Sequence, residues 1–278
     1  MKTFIYTAFA LVAFAFNSIL CRMALRPDEI DPAGFTAIRL ASGAVTLGLL
    51  VYLTSDNKGV LKTGHWLSAI FLSAYAICFS FAYMGLNAGT GALILFGSVQ
   101  LSMIGVAMIR GESPSGKEWL GLVVAAGGLV YLLWPGLTTS PPTTSAALMA
   151  AAGIAWGGYT LRGKGSSSPL ADTAGNFIRT VPMAAVAAVV YLRDLHLTQR
   201  GVLLAVISGA IASGIGYTAW YAALKHHTAT RAAILQLSVP LITAAGGVLL
   251  LSEAATTRLW ISAALILGGI AVATLARR

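Results

Sequence analysis

Two sets of aromatic residues recur at helical spacing. Tyr75, Phe79 and Tyr83 fall at every fourth position, and Tyr217, Trp220 and Tyr221 follow i, i+3, i+4, so each set lies on one face of a helix. Trp156 and Tyr159 add a third, in the stretch Trp156-Gly157-Gly158-Tyr159. Converging rings of this kind make an apolar pocket in which an aromatic or aliphatic side chain stacks, each ring pair adding about 0.5–1.5 kcal/mol beyond burial. Core packing or a lipid-facing position is the alternative for any single ring. Three amides accompany them. Gln100 and Gln236 are uncharged donor-acceptors able to hold a carboxylate or an ammonium, and Asn17 offers the same chemistry or an ordinary helix-helix hydrogen bond. Pro240 deprives the Gln236 carbonyl of its helical N–H partner, leaving an acceptor for another helix, a water or a bound ammonium. Arg39 and Arg179 complete the set, either as a symmetric pair guarding two mouths and drawing in a carboxylate, or as arginines that snorkel and bond carbonyls near helix ends.

These residues sit in a chain that water cannot dissolve. Of 278 residues, 57% are hydrophobic and only 10% are charged, with a mean hydropathy of +0.81, against roughly 25% charged in a soluble domain. The apolar excess must face a bilayer. The +9 charge comes from basic residues scattered between apolar runs, which makes no nucleic-acid-binding face. Residues 63–109 contain no Asp, Glu, Lys or Arg; this run would make about 70 Å of helix at 1.5 Å per residue, so it crosses a core of about 30 Å twice. Asn87 to Gly91 is the expected turn. The same reading along the chain places ten spans near 3–24, 33–53, 65–86, 91–110, 117–134, 144–162, 170–192, 201–223, 229–251 and 258–276. The first run continues well past Ala13-Phe14-Ala15, which favours a span over a cleaved leader. Eleven basic residues fall on one side of this topology and five on the other, placing both termini in the cytoplasm of a multi-pass bacterial inner-membrane protein.

The two halves of the chain also resemble each other. Ile94-Leu95 and Ser98-Val99-x-Leu101 recur as Ile234-Leu235 and Ser238-Val239-x-Leu241. Glu112, Trp119 and Gly127-Gly128 recur as Glu253, Trp260 and Gly268-Gly269; Arg39 matches Arg179 and Tyr83 matches Tyr221. Two domains follow, 1–137 and 138–278, each of five spans, and an odd number turns the second upside down relative to the first. The expected fold is therefore all-α, with ten transmembrane helices in two inverted five-helix repeats, an architecture that offers two nearly isoenergetic packings, one open to each side. Duplication for stability alone is the alternative. The segment Pro32-Ala33-Gly34-Phe35-Thr36-Ala37-Ile38-Arg39, with the two closing patterns around Gly111-Glu112…Trp119…Gly127-Gly128 and Ser252-Glu253…Trp260…Gly268-Gly269, resembles the EamA-type drug/metabolite transporters over essentially the whole chain. That resemblance implies a ten-helix carrier exporting metabolites, closest to the bacterial aromatic amino acid exporters. The halves differ where Trp156-Gly157-Gly158-Tyr159 is matched by Phe14-Ala15-Phe16-Asn17.

The leading expectation is an alternating-access exporter of small metabolites, amino acids including aromatic ones, with a small-molecule substrate and lipid as its partners, acting as a monomer or weak dimer. An exporter of other organic solutes or drugs is the alternative, ahead of an intramembrane enzyme, for which H-E-x-x-H, G-x-S-x-G and D-x-D are all absent. No cofactor and no metal are expected: Cys21 and Cys78 lie in different spans, and adjacent His226 and His227 point apart. No Asp or Glu lies in the middle of a span, so transport is expected to run down the solute's own gradient rather than through a carboxylate relay.

Overall fold

A computed structural model describes the chain apart from residues 1, 26–28, 55–62, 87, 135–140, 192, 194, 252–255 and 276–278. The described chain is helical, with one isolated bridge between Ile30 and Leu197. In chain order the helices are α1 (Lys2–Leu25), α2 (Pro32–Thr54), α3 (Trp66–Ala82), α4 (Ala88–Ile109), α5 (Gly116–Leu133), α6 (Thr143–Gly163) and α7 (Pro169–Val190). Next comes α8, which runs over Gln199–Ile207, widens into a π-helical segment at Ser208–Ile215 and continues as Gly216–Leu224. The ninth, α9, is made of Ala229–Gln236 and Ser238–Leu251, and α10 spans Thr257–Leu275.

Among the described residues eight of these helices are long and apolar enough to cross a membrane; α3 is a shorter apolar helix. The third expected span, 65–86, stops earlier as a helix because Met84 and Gly85 donate to carbonyls only three residues back, Phe81 and Ala82. Two other termini carry their own chemistry. Ser115 and Glu118 form a reciprocal capping box at the start of α5, and the Thr228 hydroxyl accepts from Arg231 N–H at the start of α9. The expected turn residue Asn87, and Glu253, lie outside the described residues.

Helix pairing has a simple rule. The strongest packing partners are α5 with α10, α1 with α8, α2 with α7 and α8, and α3 and α4 with α6, followed by α1 with α9 and α3 with α7. Adding or subtracting five in the helix number converts each pair into another pair or into itself. Small residues permit the tightest of these crossings. A Cβ on Gly121 would strike the Gly269 carbonyl, and one on Gly269 would lie 2.6 Å from the Ala125 nitrogen, so α5 and α10 meet backbone to backbone. Gly209, in the π segment, is pressed against the Arg39 carbonyl and the Ser42 hydroxyl in the same way, which brings α2 against α8.

Lipid-sized apolar side chains remain on the outside, such as Val123, Leu120 and Ile109, which is the arrangement a bilayer solvent requires. The buried core holds the rings and amides.

Candidate functional site: an aromatic chamber between the halves

The chamber is walled by three helices from each half of the chain: α1, α3 and α4 on one side, and α6, α8 and α9 on the other. The empty space between Phe14, Asn17, Tyr75, Phe79, Phe96, Trp156, Tyr217 and Gln236, counting the part that opens to solvent, is about 370 Å³, with Ser18, Leu95 and Val239 completing the wall. The expected convergence of the aromatic sets occurs here. Tyr75 and Phe79 stack along α3 at 5.4 Å, and Trp156 lies 4.9 Å from Tyr75 and 4.8 Å from Tyr217. Phe14 closes the cluster edge-on, 5.2 Å from Trp156, 5.6 Å from Tyr217 and 5.5 Å from Trp220. The sequence reading did not select Phe14, although its alignment with Trp156 in the other half was a usable signal.

One amide belongs to the wall through a ring. The Trp156 indole N–H donates to Gln236 Oε1 at 2.6 Å, while Gln236 Nε2 donates to the Ala232 carbonyl at 3.2 Å. Gln236 ends the first half of α9, where the helix breaks at Leu237, three residues before Pro240. The break follows from the missing proline N–H. It also redirects a bond: Leu237 N–H turns back to the Ile234 carbonyl, and the Ala233 carbonyl accepts the Gln100 side chain at 2.7 Å instead. Gln100 is thus a tie between α4 and α9, outside the chamber wall.

The remaining selected residues occupy three other levels. Tyr83 meets Phe79 edge-on at 4.9 Å and, with Ser18 and Arg22, lines two vestibules of about 710 and 640 Å³ next to the chamber; Pro240 lines the second. Tyr159 and Trp220 are fully buried beneath it, Trp220 donating to the Thr160 hydroxyl at 3.4 Å and the Tyr221 hydroxyl to the Tyr159 carbonyl at 3.1 Å.

The two arginines part company. Arg179 reaches back to carbonyl oxygens of Thr63 (2.6 Å) and Gly175 (2.8 Å) and stacks over Trp66 at one end of the molecule. That is the carbonyl-bonding arginine of the bland reading, its side chain directed toward the helix start as helical side chains are. Arg39 guards no mouth: it is completely buried, its Nε donating to Ser213 Oγ at 2.9 Å and its Nη2 to the Tyr217 hydroxyl at 2.6 Å, with Tyr75 beneath the guanidinium at 5.4 Å. Ser213 lies in the π segment, whose Ser208 also donates to Asn17 Oδ1 at 2.5 Å. The irregular stretch of α8 therefore supplies the hydroxyls that hold both Arg39 and Asn17, in keeping with the frequent placement of π-turns at functional sites.

The cavities beside the chamber lie toward one end of the molecule. The vestibules lead from Ser18 toward Met84 and Leu25, where a further cavity of about 900 Å³ lies between Asp31, Tyr191 and His196. The halves are bonded to each other there, through Glu29 and Asp31 to His196, Thr198 and Arg200, and again at the opposite, closed end. Glu112, after α4, accepts from Lys164 Nζ at 2.7 Å and from the backbone N–H of Ala229, the first residue of α9, at 3.1 Å. Glu118 accepts from Arg231 Nε at 3.1 Å, and Arg162 donates to Ser68 at 2.9 Å. Partial burial opposes ionisation of Glu112, but the Lys164 ammonium and the Ala229 N–H outweigh it and hold the carboxyl below its ordinary range.

His227 belongs to the same end. The Thr7 hydroxyl hydrogen is committed to the Thr3 carbonyl, so the 3.0 Å contact to Thr7 is donated by His227 Nε2. Burial, then neighbouring His226 and Arg231, push the imidazole below 6.5. A histidine lowered in the folded state stays neutral while the unfolded chain takes a proton, so its contribution is present above pH 6.5 and is lost on acidification. Melting curves between pH 7.5 and 5.5 are expected to show a loss for the wild type about 1–2 °C larger than for His227→Gln. Parallel curves for the two proteins would remove His227 from the closed end.

The chain matches the EamA-like transporter family over residues 1–134 and again over 143–275. It is 45% identical over 271 residues to the uncharacterized protein PA1977 of Pseudomonas aeruginosa, covering 98% of this chain and 94% of that protein. It is 27% identical over 300 residues to the uncharacterized transporter YwfM of Bacillus subtilis, covering all of this chain and 96% of that one. A solved crystal structure superposes with a TM-score of 0.83 at 20% identity, over 99% of this chain and 98% of the other, which shows a shared fold. With two family matches that together span nearly its whole length, the chain belongs to the EamA-like transporter family.

Proposed function

We propose that the protein is an alternating-access carrier that exports small metabolites, amino acids with aromatic or large apolar side chains foremost, across the bacterial inner membrane. Ten crossings in two inverted modules, 1–137 and 138–278, with both termini in the cytoplasm, are part of the same proposal. One observation supports it above the others: the aromatic chamber is walled by three helices from each half and adjoins vestibules toward one end, while ion pairs between the halves cluster around Glu112 and Glu118 at the other. A chamber reachable from one side at a time is what a carrier needs, and inverted modules supply the second, mirror-related packing. The chamber wall itself contains no carboxylate, which supports transport down the solute's own gradient over a proton relay.

Counterflow into proteoliposomes tests the reading. Preloaded unlabelled phenylalanine, tyrosine, tryptophan or leucine is expected to drive saturable uptake of its labelled form. Flux that rises without limit indicates a pore. Absence of counterflow across all common amino acids, with counterflow for some other organic solute, moves the substrate outside this class.

A further inference from the structure

Among the described residues no carboxylate pairs with the charge beside the chamber. Arg39 is fully buried and enters none of the ion pairs formed among the described residues, which join Lys164 to Glu112, Arg200 to Glu29 and Arg231 to Glu118. Two of its nitrogens donate to hydroxyls, and Nη1 has no hydrogen-bond partner among the described residues. The described acids that precede α2 are already engaged: Asp31 accepts from backbone N–H of Ala33, Gly34 and His196, and Glu29 takes Thr198 and Arg200. A lone guanidinium at this depth is held by dipoles alone, an arrangement that an incoming anion completes. Position points the same way. Tyr75 and Tyr217 flank the guanidinium, and both line the chamber, so each touches Arg39 on one side and the chamber on the other. The chamber and both vestibules have Arg22 as their one charged lining residue. A solute in either vestibule therefore meets a positive charge.

We propose that Arg39, presented by Tyr217 and Ser213, is the carboxylate-recognition residue of this carrier, and that its solutes are arylalkyl or alkyl carboxylates for which an ammonium group is dispensable. The inference rests on the carrier reading above and narrows its substrate class. The ring of the solute stacks among Phe14, Trp156 and Phe79, while its carboxylate takes the Nη1 hydrogens in a charge-assisted bond after a small rotation of the phenols. A cationic amine in the same place, roughly 6 Å from the guanidinium, loses about a hundredfold in occupancy at an effective permittivity of about 20. The difference between Arg39 and Arg179 has a function on this view. One arginine of the repeat pair is spent on a loop and the other is kept for the solute.

Three probes sharing one ring decide the matter: 3-phenylpropionate, phenylalanine and phenethylamine. They are to be measured as competitors of counterflow and, separately, as stabilisers of the purified protein in thermal-shift assays. Phenylpropionate and phenylalanine are expected to compete and stabilise at similar concentrations, with phenethylamine about a hundredfold weaker. Arg39→Gln is expected to bring the three within about threefold of one another, and Arg39→Lys to keep part of the preference. The wild-type series carries the test alone if the variants do not fold. Phenethylamine acting as strongly as phenylpropionate on the wild type overturns the proposal, as does an unchanged ranking in folded Arg39→Gln. Counterflow without carboxylate preference sinks this inference and leaves the carrier standing; carboxylate-dependent binding without counterflow of any solute does the reverse. Neither signal rejects both.

Discussion

Trp156→Ala is expected to lower counterflow of an aromatic amino acid by about thirtyfold or more, with folded protein still recovered. The indole makes ring contacts with Phe14, Tyr75 and Tyr217 and donates to Gln236, all in the chamber wall, and meets Tyr159 beneath it. Each ring pair contributes about 0.5–1.5 kcal/mol. Truncation also strands the Gln236 carbonyl oxygen, at about 1–3 kcal/mol for a buried acceptor. Part of that loss falls on the empty protein, and the part borne by the solute complex sets the flux. Trp156→Phe keeps the stacking and loses only the hydrogen bond, so it is expected to retain most of the activity. Trp220→Ala provides the contrast: the ring packs against Phe14 but does not line the chamber, so its loss is expected to lower thermal stability more than affinity. Full counterflow in Trp156→Ala would remove the aromatic chamber as the solute site.

The second large effect concerns the sealed end. Glu112→Gln is expected to raise about tenfold the rate at which a thiol reagent reaches Thr160→Cys, placed just beneath the chamber, in a background lacking Cys21 and Cys78. Glu112 performs two tasks: it pairs with Lys164 and it receives the N-terminal N–H of α9. The ion pair is about a quarter to a third exposed, so it contributes only about 0.2–1 kcal/mol. A negative charge at a helix N-terminus adds about 0.3–1 kcal/mol. Together these make the tenfold shift between sealed and open forms. Because the carboxyl is held below its ordinary range, acidification to pH 6 leaves it charged, and the wild type is expected to stay sealed there as far as Glu112 is concerned. Unchanged labelling of a folded Glu112→Gln protein would show that other contacts keep this end shut.

The long apolar helices and the aromatic faces could be read without coordinates because both are local. An uncharged run cannot stay in water, and the period of a helix places Tyr75, Phe79 and Tyr83 on one side whatever surrounds them, as their successive ring contacts bear out. The break in α9 was foreshadowed by Pro240, since a missing N–H is a property of the residue itself. Gln100 was harder. It looks like Gln236 in sequence, yet the two differ because only Gln236 reaches the Trp156 indole, while Gln100 meets a carbonyl released by a helix break more than a hundred residues away.

Arg39 and Arg179 mark the same boundary more sharply. Matching positions in a repeated sequence made them appear equivalent, and a guanidinium carries equal charge in either place. Where each one ended up was decided by the acceptors that distant segments brought to it: Ser213 and Tyr217 from the distorted part of α8 for one, the Thr63 carbonyl for the other. Residue type and period determine which groups must leave water. Which of them is left with an unspent hydrogen bond beside a cavity depends on packing between remote helices, and that is settled only when the chain has folded.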